Sequence, residues 1–147
     1  MSPAAEIDRE ELRARYDAIL APVTPPFAFV DLDALRRNAQ ALLAQSGGLP
    51  IRIASKSVRS TAVLRRIVDL DPGFRGVLSF TVREALHLSA AGFEDIVVAY
   101  PSTDRPAIAE VARLAGEDPS RAPVLMVDDR PHLDLIEGTI GSGSAAI

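Results

Sequence analysis

The sequence predicts an α/β fold in which a parallel sheet carries helices, the pattern of the N-terminal half of a (β/α)8 barrel. Three observations carry this reading. Short β-rich runs alternate with helical runs along most of the chain, as in βαβ units. Two of those runs, Ile96-Val97-Val98-Ala99 and Val124-Leu125-Met126-Val127, are continuously apolar, as strands covered on both faces are. Four β/α units counted from residue 51 make half of a barrel that takes about 250 residues in all. A complete flavodoxin-like open parallel sheet is the competing architecture, since it needs only five strands.

The elements follow in order. A first helix is expected over 6–21, where Leu12, Tyr16, Ile19 and Leu20 recur at helical spacing and Glu11 can pair with Arg15 one turn on. Pro22, Pro25 and Pro26 end it. A short strand is expected over 27–31. Asp33 is then a good N-cap for a helix with Leu35, Ala39, Leu42 and Leu43 on one face, closed by Gly47 and Gly48. Further strands are expected over 51–56, 76–80, 95–100 and 123–127. A helix over 60–70 follows the first of them. Thr81 and Glu84 form a capping box that starts the next helix, and Gly92 stops it. The third spans 105–114 and stops at Gly116. The fourth is short, capped by Asp129 and ending near Gly138. The tail from Gly141 reads as a loop leading into another strand. The chain is therefore expected to hold an N-terminal helix and linker over 1–23, and over 24–147 a barrel domain truncated near strand five.

Composition limits the function classes. The chain has 147 residues, 48% of them hydrophobic and 24% charged, which suits a soluble globular domain. It has no cysteine, so thiolate metal sites, thiol catalysis and disulfides are excluded. The net charge of −4 comes with no basic patch, so no nucleic-acid partner is expected. The apolar runs are far shorter than the ~20 residues of a membrane helix. The first eleven residues are acidic and lack an apolar core, unlike a signal peptide. A cytoplasmic protein is expected, with no membrane partner.

One count singles out a residue. The chain has fifteen arginines and one lysine, Lys56. A sequence biased towards arginine uses it wherever a positive charge suffices. A lysine that survives such a bias can serve where an amine must lose its proton and act as a nucleophile. Lys56 falls at the C-terminal end of its expected strand, the end where parallel α/β barrels build active sites. Alternation puts Arg52, Ala54 and Lys56 on one face and Ile51, Ile53 and Ser55 on the other. With the isoleucines towards the helices, Lys56 points into the barrel mouth. Loss of solvation there, with Arg52 and Arg59 nearby, would favour the neutral amine that a Schiff base with an aldehyde requires. The plain alternative is a solvated lysine that ends a strand.

Three segments carry a family resemblance. They are Thr24-Pro25-Pro26-Phe27-Ala28-Phe29-Val30-Asp31-Leu32-Asp33-Ala34-Leu35, Arg52-Ile53-Ala54-Ser55-Lys56-Ser57-Val58-Arg59-Ser60, and Ser79-Phe80-Thr81-Val82-Arg83-Glu84-Ala85 with Ala91-Gly92-Phe93-Glu94-Asp95-Ile96-Val97-Val98-Ala99. Together they resemble the start of the fold-type III pyridoxal-phosphate enzymes. That group includes alanine racemase, D-threonine aldolase, D-serine dehydratase and the amino acid deaminase/aldolase proteins. The resemblance implies an alanine racemase-like barrel, pyridoxal 5'-phosphate as cofactor and Lys56 as its Schiff-base lysine. It also implies Arg52 as a cofactor-binding residue and a lyase acting on D-amino or β-hydroxy amino acids. A homodimer is compatible with the full-length parent it implies. The aldolase branch has histidines two residues before and two after the lysine, where this chain has Ala54 and Val58. That departure leaves the reaction open. Ser55-Lys56 is also similar to the small proteins that bind pyridoxal phosphate without turnover, and a cofactor-free α/β interaction domain is a third reading. By the same resemblance, the phosphate-binding loops and any metal ligands would lie beyond Ile147, so no metal is assigned and the isolated piece is expected to be inactive.

Ser79, Thr81, Tyr100 and Asp128 also fall at strand ends and are candidates for the same mouth. Thr81 already has a capping task. His87 and His132 lie in expected helices without partners at ligand spacing and are read as surface residues. The Gly-Ser repeat near the end has no Walker lysine, so it reads as a loop and not a phosphate cradle.

Overall fold

The computed structural model describes residues 8–141. The described residues divide into two units between Leu35 and Arg36, and each is taken by itself. In the first, α1 (Arg9–Leu20) is capped by Asp8, whose side chain accepts from the Glu10 and Glu11 N–H groups. The expected start at residue 6 and the tail beyond Gly141 lie outside the described residues. Residues 27–31 form no strand and pair with no other strand among the described residues. What organises them is Tyr16. Its ring meets Phe29 edge-on at 5.0 Å, and its hydroxyl donates to Asp31 at 2.5 Å.

Asp31, not Asp33, caps α2 (Leu32–Gln45). Its Oδ1 accepts from the N–H groups of Asp33 at 2.9 Å and Ala34 at 2.8 Å. Asp33 therefore sits inside the first turn, where a negative charge suits the helix dipole. The Tyr16 hydroxyl, then the Ala34 N–H, hold the Asp31 carboxyl below the usual aspartate range. A lowered carboxyl stabilises the folded state above the pH at which an unfolded aspartate titrates, and this is lost as pH falls through the lower folded value. We expect Tyr16→Phe to move the acid loss of helical circular dichroism to higher pH. An identical acid midpoint in wild type and variant would refute the linkage.

In the second unit, β1 (Ile51–Ala54), β2 (Phe74–Ser79) and β3 (Ile96–Val98) form a parallel sheet in that order. Ile53 faces Val77, and Val77 faces Ile96. The expected strand over 123–127 is reduced to one parallel bridge, Val97 to Val124. It is held by Val124 N–H to the Ile96 carbonyl at 2.8 Å and Val98 N–H to the Val124 carbonyl at 2.9 Å. Pro123 has no N–H to extend that ladder.

The helices are α3 (Ser55–Val58), α4 (Thr61–Val68), α5 (Val82–Ala90), α6 (Arg105–Glu117) and α7 (Arg130–Ile140). Several start on side-chain caps, of which those at Thr81 and Asp129 were expected. Ser60 accepts from Val63 N–H, Thr81 from Glu84 N–H and Asp129 from His132 N–H. The Glu84 carboxylate reaches one residue further back than a standard capping box, to Phe80 N–H at 2.9 Å. Gly116 and Gly138 do not stop their helices. A helical glycine costs only about 1 kcal/mol relative to alanine, which the packed faces of α6 and α7 outweigh.

The two faces of the sheet differ. Ile53, Val77, Ile96 and Val98 are buried together with Leu64, Leu88, Ile108 and Val111 from the helices. Each such side chain contributes roughly 1.5–3 kcal/mol on burial. The alternating positions are half-buried at Leu78 and Val97 and exposed at Ala54, Val124 and Met126. The fold is thus a mixed α/β unit with a small parallel sheet, clothed by helices on one face and open on the other.

Candidate functional site

The chain leaves β1 at Ala54 and turns at once into the single helical turn α3. Lys56 therefore lies in that turn and not at the end of the strand. Ser55 causes this. It is fully buried, and its Oγ donates to the Leu78 carbonyl at 3.3 Å. The Arg59 N–H then closes the turn on the Ser55 carbonyl at 2.8 Å, with Arg59 at a φ of 52°. Ser55 is buried and Lys56 exposed, but both stand in the helical turn, so the strand alternation expected to aim Lys56 into a barrel mouth stops at Ala54.

Lys56 Nζ lies 5.1 Å from the centre of the Phe80 ring and 5.8 Å from that of Tyr100. Phe80 follows β2 by one residue and Tyr100 follows β3 by two. The three residues thus meet at the C-terminal ends of the three strands. The two rings stand nearly perpendicular, at 84°, with centres 5.4 Å apart, a preferred aromatic arrangement. The Arg59 guanidinium lies 5.8 Å from the centre of the same Phe80 ring, and its Nε donates to the Lys56 carbonyl at 3.3 Å.

Two details differ from expectation. Lys56 is exposed and not desolvated. Arg52 extends to the opposite end of the sheet. One of its terminal nitrogens donates to the Asp95 carbonyl at 2.7 Å and carboxylate at 3.0 Å, and the other to the carboxylate at 2.9 Å. Arg75 approaches the same carboxylate at 3.4 Å. Arg52 thereby ties β1 to the residue that precedes β3. Of the two arginines expected beside Lys56, Arg59 is the one that shares its corner.

The other candidates separate clearly. Tyr100 joins Lys56. Ser79 is buried, and its Oγ donates to the Val97 and Thr81 carbonyls. Thr81 is a cap. Asp128 is exposed. Its Oδ1 lies 3.3 Å from His132 Nδ1. His87 is exposed, but His132 is 8% exposed, a correction to its reading as a surface residue. Its Nε2 sits 2.9 Å from the Ser102 carbonyl, a partner thirty residues away that helical spacing could not reveal. His132→Ala should cost about 2 kcal/mol through the carbonyl left unpaired and the space left empty. A urea midpoint unchanged by the substitution would contradict this. Sequence reasoning did not single out Phe80. The available signal was an aromatic residue at the last position of each of two successive expected strand runs, 76–80 and 95–100. Among the described residues, no group of three or more histidines and carboxylates could hold a metal ion, and no helix is long and apolar enough to cross a membrane.

A lysine at the C-terminal edge of a parallel α/β sheet is the arrangement expected of the fold-type III group, and comparison with solved structures supports that relationship. The chain is similar to D-threonine aldolase from Filomicrobium marinum, at 28% sequence identity and a TM-score of 0.70. The match covers 82% of this chain and 32% of the aldolase, so this chain spans about a third of that protein's length. No family model matches the chain, and no curated protein matches it.

Proposed function

We propose that this chain is the N-terminal portion of a pyridoxal-phosphate-dependent lyase that acts on D-amino or β-hydroxy amino acids, and that Lys56 holds the cofactor. The observation that carries this is the placement of the only lysine. Its amine is accessible at the strand ends beside two aromatic rings and Arg59. The likeness to an aldolase supports the reaction class.

The donor set fits the cofactor. Lys56 offers a primary amine to an aldehyde. Arg59, which no carboxylate among the described residues pairs with, offers a guanidinium to a phosphate or carboxylate. When bound, pyridoxal phosphate supplies the aldehyde and an electron sink for charge at Cα. Lys56 Nζ would hold it and would carry a proton to or from Cα or the β-hydroxyl. Phe80 and Tyr100 flank that nitrogen. Arg52, placed at the cofactor by the resemblance, acts in this reading through its hold on β1.

The test is to add pyridoxal phosphate, reduce with borohydride and map the modified peptide. Label on Lys56 supports the reading, and label confined to the N-terminal amine overturns it. Glycine from D-threonine, or pyruvate and ammonia from D-serine, produced by the longer protein would identify a lyase. Label without turnover there would leave a cofactor-binding protein.

A further inference from the structure

We propose that Phe80 and Tyr100 are positioning residues for the Lys56 amine, forming an aromatic seat that fixes its direction at the strand ends. The inference rests on the reading of Lys56 given above and adds residues to it. A lysine has four rotatable side-chain bonds, and an exposed one ordinarily samples many directions. Here two faces restrain it. The ammonium lies within 6 Å of both ring centres, inside the range where a ring quadrupole attracts a cation.

The seat is itself held. The two rings pack edge to face, Phe80 N–H is bound by Glu84, and the following residue starts α5 as its cap. Tyr100 lies two residues before Ser102, whose carbonyl faces buried His132. Both aromatic residues thus sit between fixed points, one residue after β2 and two residues after β3. Positioning an amine against a carbonyl carbon converts a random encounter into a directed one, and small misplacements are costly. Tyr100 is 50% exposed, a large exposure for an aromatic side chain that only fills a core, whereas a ring that faces an amine needs that opening.

Two measurements test the seat. In the first, Lys56 is reductively methylated with isotope-labelled formaldehyde and borohydride. Each methyl carbon comes from formaldehyde, the new C–H hydrogen comes from borohydride, and the carbonyl oxygen leaves as water. The chain has one lysine, so its methyl resonance is identified at once against the N-terminal amine. We expect a ring-current displacement in wild type, kept in Tyr100→Phe and reduced in Tyr100→Leu, which leaves only the Phe80 ring beside the amine. A wild-type signal at the free-lysine position, or one unmoved by Tyr100→Leu, would overturn the seat.

In the second, the rate of pyridoxal phosphate capture at Lys56 should fall about tenfold in Tyr100→Leu and recover in Tyr100→Phe, in line with the cost of misplacing a reacting group. Capture at equal, measurable rates in all three would also overturn the proposal. The two readings fail separately. A displaced methyl signal without capture of the cofactor leaves the seat and removes the proposed function. Capture without a displaced signal does the reverse.

Discussion

Lys56→Arg should reduce borohydride-fixed pyridoxal phosphate to the background set by the N-terminal amine. The substitution keeps the positive charge and a side chain long enough to reach the Phe80 and Tyr100 rings. It removes the one property that matters, since a guanidinium stays protonated and makes a poor nucleophile towards an aldehyde. Lys56→Ala should give the same loss while also vacating the aromatic corner. Intact mass and peptide mapping read both directly. The fifteen arginines serve as an internal control, because none should carry label in any variant. Capture in Lys56→Arg at the wild-type level would remove Lys56 from the site.

The largest stability effect should come from Gly76→Ala. Gly76 lies in β2 with a φ of +70°, a conformation that costs an L-residue about 1–2 kcal/mol. A methyl group there would also overlap the Asp95 carbonyl oxygen and come within 2.8 Å of the Arg52 guanidinium. Asp95 itself has a φ of 51°, accepts from Arg52 and lies close to Arg75. The whole tie between β1, β2 and the start of β3 would have to shift, and a loss of about 3 kcal/mol or more is expected. Gly48→Ala provides the control. Its φ is +86° with nothing within 4 Å, so only the conformational cost of about 1–2 kcal/mol applies. Urea midpoints that fall equally in the two variants would show that the Arg52–Asp95 tie is not what requires a glycine at position 76.

Features set by close neighbours along the chain were legible in the sequence. The caps at Thr81 and Asp129 needed only a polar side chain three residues before a free N–H. The burial of Ile53 and the exposure of Ala54 followed from the alternation expected along Ile51–Ala54. Features set by distant partners were not legible. Residues 27–31 have strand composition but no ladder. Val124 finds β3 for a single bridge, although its run is as apolar as β3 itself. Asp31 takes the cap expected of Asp33, because Tyr16 and two N–H groups converge on it. His132 is buried by a carbonyl thirty residues away, and Arg52 is drawn off by an aspartate forty-three residues away. In the candidate site, Lys56 and Tyr100 were readable as residues near the C-terminal ends of strands, though each falls two residues past its strand. Their meeting over Phe80 was not, because it depends on how β1, β2 and β3 stand side by side.

The unequal faces of the sheet carry a thermodynamic consequence. Unfolding raises heat capacity in proportion to the apolar surface newly exposed to water. Helices already clothe Ile53, Val77, Ile96 and Val98, whereas Ala54, Val124 and Met126 meet solvent in the folded state. The open side therefore adds little to the heat-capacity increment, which should fall below the ~12–15 cal/mol/K per residue of fully packed domains. The denaturant slope should be shallow for the same reason. With a smaller increment, the stability curve flattens, and the protein's free energy of unfolding changes slowly with temperature on either side of its maximum.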